Sequence, residues 1–218
     1  MNTSSRLATG AAALLLALAL ALPVWRIGLV APQYPEGLGM QITLHTVRGV
    51  RPNDLANINE LNHYIGMRVI DPASMPELQY MPKIVLALAL AGLVVALVGR
   101  RGLLIGWTAA FGAAAVAGMT DFWRWTYTYG HNLDVEHAII KFPDVTYQPP
   151  IIGTKQILSF TATSWPDFGG VALGLALAAA VGAVWLSRRK TRLAAVAGAA
   201  RTAAGAPPVK QRGGRSAA

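Results

Sequence analysis

The residue types best suited to chemistry here are imidazole and thioether. His45, His63, His131 and His137 all fall in two long polar stretches, as do Met40, Met67, Met75 and Met81, with Met119 at the edge of one. Imidazole and thioether together suit copper, Met favouring Cu(I) and His accepting either oxidation state. Cys is absent, which excludes disulfides, iron–sulfur clusters, Cys-based zinc sites and thiol catalysis, and suits an oxidising compartment. The sharpest local element is Asn62-His63-Tyr64-Ile65-Gly66-Met67. On a helix His63 and Met67 are i and i+4 and share a face, with Asn59 placed to orient the imidazole. His131 and His137 are six positions apart, a spacing of no standard metal motif, so a shared ion there requires a particular loop fold. Plainer readings stand beside each: His63 as a surface residue, Met67 as packing, Met75 and Met81 as apolar anchors at a lipid interface. No phosphate-binding loop, dinucleotide fingerprint, nucleophile elbow or zinc-protease helix is present, and Ser159 and Ser164 lie in no motif. An enzyme is not expected.

Four apolar stretches must position these residues: Leu7 to Trp25, Ile84 to Gly99, Leu103 to Met119 and Phe168 to Leu186. Each is near the length that crosses a hydrocarbon core of about 30 Å, and unpaired backbone groups are not tolerated in lipid, so each is expected to be helical. Hydrophobic residues make up 54% of the 218-residue chain and charged ones 13%, well below the roughly 25% charged residues of soluble domains. The expected fold is an all-α membrane protein of four transmembrane helices, its two long periplasmic loops, of mixed short helix and strand, forming an outer cap. The first stretch also partly fits a cleaved signal peptide. Apolar character continuing through Trp25 and Ile27 to Val30 favours an uncleaved helix.

Charge orients the helices. Arg6, Arg100, Arg101 and the basic residues from Arg188 onward carry eleven of the 19 Lys and Arg and none of the 10 acids. Positive-inside bias places both termini and the Arg100-Arg101-Gly102 turn in the cytoplasm. The net charge of +9 thus reports topology, and no nucleic-acid partner is expected.

The expected organisation is a first helix over 1–30, a periplasmic loop over 31–83, a helical hairpin over 84–119, a second loop over 120–167, a fourth helix over 168–187 and a basic disordered tail over 188–218. In the first loop, Met40 to His45 alternates like a half-buried strand. Asn53 or Asp54 looks like a helix start, the helix ending between Gly66 and Asp71, and Met75-Pro76 and Met81-Pro82 are expected to be extended. In the second, Asp121-Phe122-Trp123-Arg124-Trp125 reads as an interfacial aromatic cluster, with Trp25 and Trp165 at the same boundary and Trp185 at the other. Gly102-x-x-x-Gly106 and Gly170-x-x-x-Gly174 are helix-packing signals.

Three strings, Leu61-Asn62-His63-Tyr64-Ile65-Gly66-Met67, Tyr129-Gly130-His131-Asn132-Leu133 and Tyr147 through Leu158, resemble a small family of bacterial inner-membrane proteins encoded with nitrous oxide reductase maturation genes, copper-chaperone-like or uncharacterised. The resemblance covers about residues 7 to 187. It implies a periplasm-facing accessory factor that supplies copper to nitrous oxide reductase or assists its maturation. It differs from the soluble copper lipoprotein of such clusters, which has a lipobox Cys.

Combined, these readings give a multi-pass inner-membrane accessory protein with copper as the expected cofactor, held through His63, Met67 and His131, with Met75, Met81, His137 and His45 as further candidate ligands. Its expected partners are the lipid bilayer and a periplasmic copper protein or maturation factor. The alternative is a metal-free scaffold that docks a periplasmic protein or respiratory complex. A haem or quinone protein using His45 or His131 is a third reading, and bis-His haem between membrane helices is excluded because no apolar stretch holds a His.

Overall fold

A computed structural model describes residues 1–134, 136, 138–139 and 146–204, the last stretch from 189 onward as backbone only. Two layers follow one another along the long axis. The first is a bundle of α1 (Thr3–Ala19), α3 (Glu77–Val98), α4 (Arg101–His131) and α5 (Phe168–Ala204); the second is a cap. The cap is built on β1 (Trp25–Ala31), β2 (Tyr34–Ile42), β3 (Val47–Gly49), β4 (Gly153–Ile157) and β5 (Phe160–Pro166), with α2 (Asp54–Tyr64) packed against β2 and β3.

The chain is therefore not all-α. Among the described residues five strands form one antiparallel sheet in the order β3-β2-β1-β5-β4. The central pairing joins Trp25 to Pro166 and Val30 to Thr161, so the cap closes between segments at opposite ends of the sequence. The apolar run continuing to Val30 is a strand, not the end of a membrane helix: α1 stops at Ala19, four residues before Pro23. Proline cannot continue a helix, and the aromatic and branched residues after it suit a pleated, half-buried surface.

Among the described residues three helices are long and apolar enough to cross a membrane: α3, α4 and the Phe168–Arg188 part of α5. They are compatible with a membrane protein. The fourth expected span, α1, is 17 residues long, about 26 Å at 1.5 Å per residue, short of the roughly 30 Å of a hydrocarbon core. It is nonetheless part of the bundle, whose core joins Ala12 and Leu16 of α1 to Leu104, Trp107 and Phe111 of α4 and to Ala176, Ala180 and Ala183 of α5. Small residues on α5 let the backbones approach closely.

Other expectations are corrected. Met81-Pro82 is helical, Pro82 standing inside α3. The aromatic cluster is not in a loop, because α4 runs 31 residues to His131. The strand expected at Met40 to His45 is the end of β2, and Thr43 Oγ1 then accepts from the His45 and Thr46 N–H groups to form the turn into β3. Of the glycine signals, a Cβ on Gly102, Gly106 or Gly174 would meet nothing within 4 Å, whereas one on Gly170 would collide with the Val24 carbonyl. Gly170 therefore serves the junction of bundle and cap. Helix α5 continues to Ala204 where a disordered tail was expected, in keeping with the high helix propensity of its alanines; residues 205–218 lie outside the described set.

At one end of the bundle, Arg6 donates to the Ala96 and Leu97 carbonyls at 2.8 and 2.6 Å. Asn2 donates to Leu186 O and Ser5 to Ala183 O. Arg6, the Arg100–Arg101 turn and Arg188 thus share the end opposite the sheet.

Candidate functional site

The cap gathers its residues around a cavity of about 100 Å³. Ile27 and Leu29 of β1, Met40 of β2 and Ala162 of β5 make its floor, Ile58, Leu61 and Asn62 of α2 one wall, and Trp125, Thr126 and Tyr129 of α4 the other. Met67, Tyr147 and Pro149 close it from the irregular segments.

Local sequence explains each wall. Asp54, 4% exposed, sits at the start of α2 and accepts from the backbone N–H groups of Gly39 and Arg51 and from the Arg51 guanidinium. Burial alone would raise its pKa, but these donors and the Arg51 charge hold it below the usual carboxylate value. Arg51 also donates to the Gly37 carbonyl, so one acid and one base lock α2 onto β2 and β3. On α4, Phe122, Trp125 and Tyr129 lie at i, i+3 and i+7 and form a stripe facing the cap, with ring centroids 6.4 and 4.6 Å apart. Trp25 meets Phe122 at 5.0 Å and donates from Nε1 to Ser164 Oγ at 2.8 Å, which donates to the Ile151 carbonyl at 2.9 Å. Trp25 and Ser164 are therefore structural members of the cap, and Trp25 is not a free interfacial anchor.

Two glycines let the remaining segments close. Gly66 has φ of +76°, the left-handed backbone that favours glycine, and it ends α2 so that the Met67 N–H reaches the Asn62 carbonyl at 2.8 Å. Gly130, in the last turn of α4, accepts from the Tyr147 N–H at 3.0 Å, and a Cβ there would collide with the Gln148 backbone. The three strings that carry the resemblance meet here: Asn62 and Met67 from the first, Tyr129 from the second and Tyr147 from the third all line the cavity.

The candidate metal ligands are placed differently. Because α2 ends at Tyr64, His63 and Met67 are not on one helix face: His63 is exposed and Met67 is half-buried against the cluster of Tyr147, Ile157 and Ala162. Asn59 does not orient His63, since its amide both accepts from the Ile70 N–H at 2.8 Å and donates to the Ile70 carbonyl at 3.2 Å. His45 is exposed in the β2–β3 turn. His131 ends α4, its ring stacked on Tyr127 at 3.9 Å with Nδ1 3.0 Å from the Tyr127 carbonyl. Met75 is buried in the cap core and Met81 is half-buried on α3. His137 lies outside the described residues. Among the described residues no group of three or more His, Asp or Glu is placed to hold a metal ion.

What the residue types did not reveal is the pair of buried donors at the cavity. Trp125 Nε1 and Tyr147 Oη are both out of reach of water and hydrogen-bonded to nothing among the described residues. The Tyr129 hydroxyl lies beside the Trp125 indole and itself donates to the Val69 carbonyl at 3.2 Å. Burial pushes the Tyr147 phenol above its ordinary pKa, so it stays protonated. The spacing of Phe122, Trp125 and Tyr129 was the available signal. Neither the known family models nor the curated proteins include a match to this chain.

Proposed function

We propose that this chain is a membrane-anchored accessory protein that works by binding, presenting its sheet-based cap on the periplasmic side of a bacterial inner membrane to a partner. The observation that carries this reading is the continuity of α4, which runs unbroken from the Arg101 end of the bundle to the cap at His131. A single helix shared by both layers holds the cap at a set height and orientation, as docking requires. The positive-inside pattern gives the side, and the resemblance gives the setting, maturation of nitrous oxide reductase.

Within that setting the metal-free scaffold is the reading the geometry favours, because His45, His63 and His131 stand on separate elements and Met67 and Met75 serve apolar clusters. Copper supply is the narrower alternative and requires ligands from the partner. The experiment is a Cu(I) competition titration on detergent-purified protein beside a His63→Ala/Met67→Ala variant, with in-cell crosslinking of the same pair. The scaffold reading expects a crosslinked partner retained in the variant and no stoichiometric Cu(I) site. One equivalent of Cu(I), lost in the variant, replaces the scaffold by the copper-handling reading.

A further inference from the structure

The end of the bundle opposite the sheet carries positive charge with no acid near it. Residues 1–35, 78–120 and 168–218 contain no Asp or Glu. Along the helices the nearest acids are Glu77, Asp121 and Asp167. They stand about 20 residues from Gly99, Arg101 and Arg188 respectively, which is about 30 Å of helix and far outside the 4 Å or so of an ion pair.

Backbone carbonyls meet part of that charge. Arg6 donates to the Ala96 and Leu97 carbonyls, and the Met1 amine to the Gly99 carbonyl at 2.7 Å. These carbonyls belong to the last turn and cap of α3, where the helix dipole is negative. Asn2 donates to the Leu186 carbonyl, so the N-terminal residues tie the α3–α4 turn to α5. Arg100, Arg101 and Arg188 flank this junction, and among the described residues their guanidinium groups have no ion pair or hydrogen bond. Arg100 and Arg188 are exposed and Arg101 is half-buried. Helix α4 starts here with no acid in its first turn and no side-chain cap, so its positive end adds to the same field. Arg189, Lys190 and Arg192 follow on the unbroken helix α5.

Position names the partner. The Phe168–Arg188 span has 21 residues, about 31 Å at 1.5 Å per residue, which matches a hydrocarbon core of about 30 Å. Arg188 therefore stands at the hydrocarbon edge, at the level of lipid phosphates, with the Arg100–Arg101 turn at the same end. A guanidinium offers several N–H donors to phosphate oxygens. A zwitterionic headgroup also brings a cation, which this acid-free surface cannot pair. We infer that this end of the bundle binds anionic phospholipid headgroups, Arg100 and Arg188 donating to lipid phosphate oxygens and Arg101 adding charge from its half-buried position. The inference rests on the membrane-anchored reading and is independent of the docking partner and of which side the cap faces.

The test reconstitutes the full chain in phosphatidylcholine bilayers that carry a trace of spin-labelled phosphatidylglycerol or spin-labelled phosphatidylcholine. The motionally restricted part of the spectrum reads how much of each labelled lipid sits against the protein. Phosphatidylglycerol is expected to be preferred about 5-fold at low salt, the size that one headgroup-level cation supplies. The preference should fall towards one at about 1 M salt, where the screening length is about 3 Å. Arg100→Gln/Arg188→Gln, at two exposed positions, should lose most of it. Arg48→Gln/Arg68→Gln removes the same charge from exposed positions of the cap and should keep it. Millimolar inorganic phosphate should leave the preference unchanged, which separates a lipid headgroup from a free anion. No preference in the parent, equal loss in the two variants, or competition by inorganic phosphate would overturn the inference. A chain that does not enter the bilayers at all would overturn the membrane-anchored reading and this inference with it.

Discussion

Asp54 ties three segments of the cap through one carboxylate. Its folded pKa lies below the unfolded value, so its contribution is complete above the unfolded pKa near 4 and disappears as pH falls through the folded value. Asp54→Asn keeps one acceptor oxygen but turns an amide N–H toward the Arg51 guanidinium. The expected loss at pH 7 is about 1–3 kcal/mol, read as a lower unfolding midpoint in micelles, and the gap from the parent should narrow below pH 4. A gap that stayed constant to pH 2 would show that the charge has no part. Tyr147 behaves oppositely. Removing its unpaired hydroxyl in Tyr147→Phe relieves a buried polar group, so stability should hold or rise by about 1 kcal/mol, whereas Tyr147→Ala empties ring volume and should lose about 3–5 kcal/mol. Thermal melts of the two variants side by side test this.

At the scale of elements, α4 carries the coupling. Its 31 residues extend about 46 Å, so roughly a third of the helix projects beyond a 30 Å hydrocarbon layer. That projecting third supplies the aromatic stripe, and Gly130 seats the returning chain on it. Gly130→Ala places a methyl group into the Gln148 backbone, an overpacking of about 1–3 kcal/mol. The Tyr147 amide, bonded to the Gly130 carbonyl, should then exchange with deuterium at least tenfold faster while amides of α3 are unaffected. Unchanged exchange at Tyr147 would mean that the segment is held elsewhere.

For the whole molecule, the basic residues at 6, 100–101 and 188 lie at the end opposite the sheet, which makes orientation directly testable. The chain has no Cys, so single substitutions report without background. In the proposed topology His45→Cys is modified by a membrane-impermeant maleimide in intact spheroplasts, and Arg188→Cys only after lysis. The reverse pattern would invert the orientation and with it the periplasmic setting. Both positions are exposed, so the labelling reads sidedness and not burial.

The apolar stretches at 103–119 and 168–186 lie within helices long and apolar enough to cross a membrane, that at 84–99 fills such a helix up to its Gly99 cap, and the basic residues at 6, 100–101 and 188 come to one end. These were legible because hydrophobicity over about 20 residues and the exclusion of charge from lipid are local quantities. The start of α2 at Asp54 was legible for the same reason. The sheet was not: Trp25 to Ala31 reads as the tail of an apolar helix until β5 arrives beside it from the far end of the chain, and strand pairing is decided by that partner. The site followed the sheet. His63 and Met67 share a helix face only if α2 continues past Gly66, and the contact of Gly66 with the Asp134 carbonyl, 2.5 Å from where a Cβ would stand, ends it. Trp125 and Tyr147, 22 positions apart, line one cavity only because α4 outruns the bundle and the chain folds back onto Gly130. Residue type and local spacing thus determined what this chain can bury in lipid, and long-range closure decided which polar groups it buries without a partner.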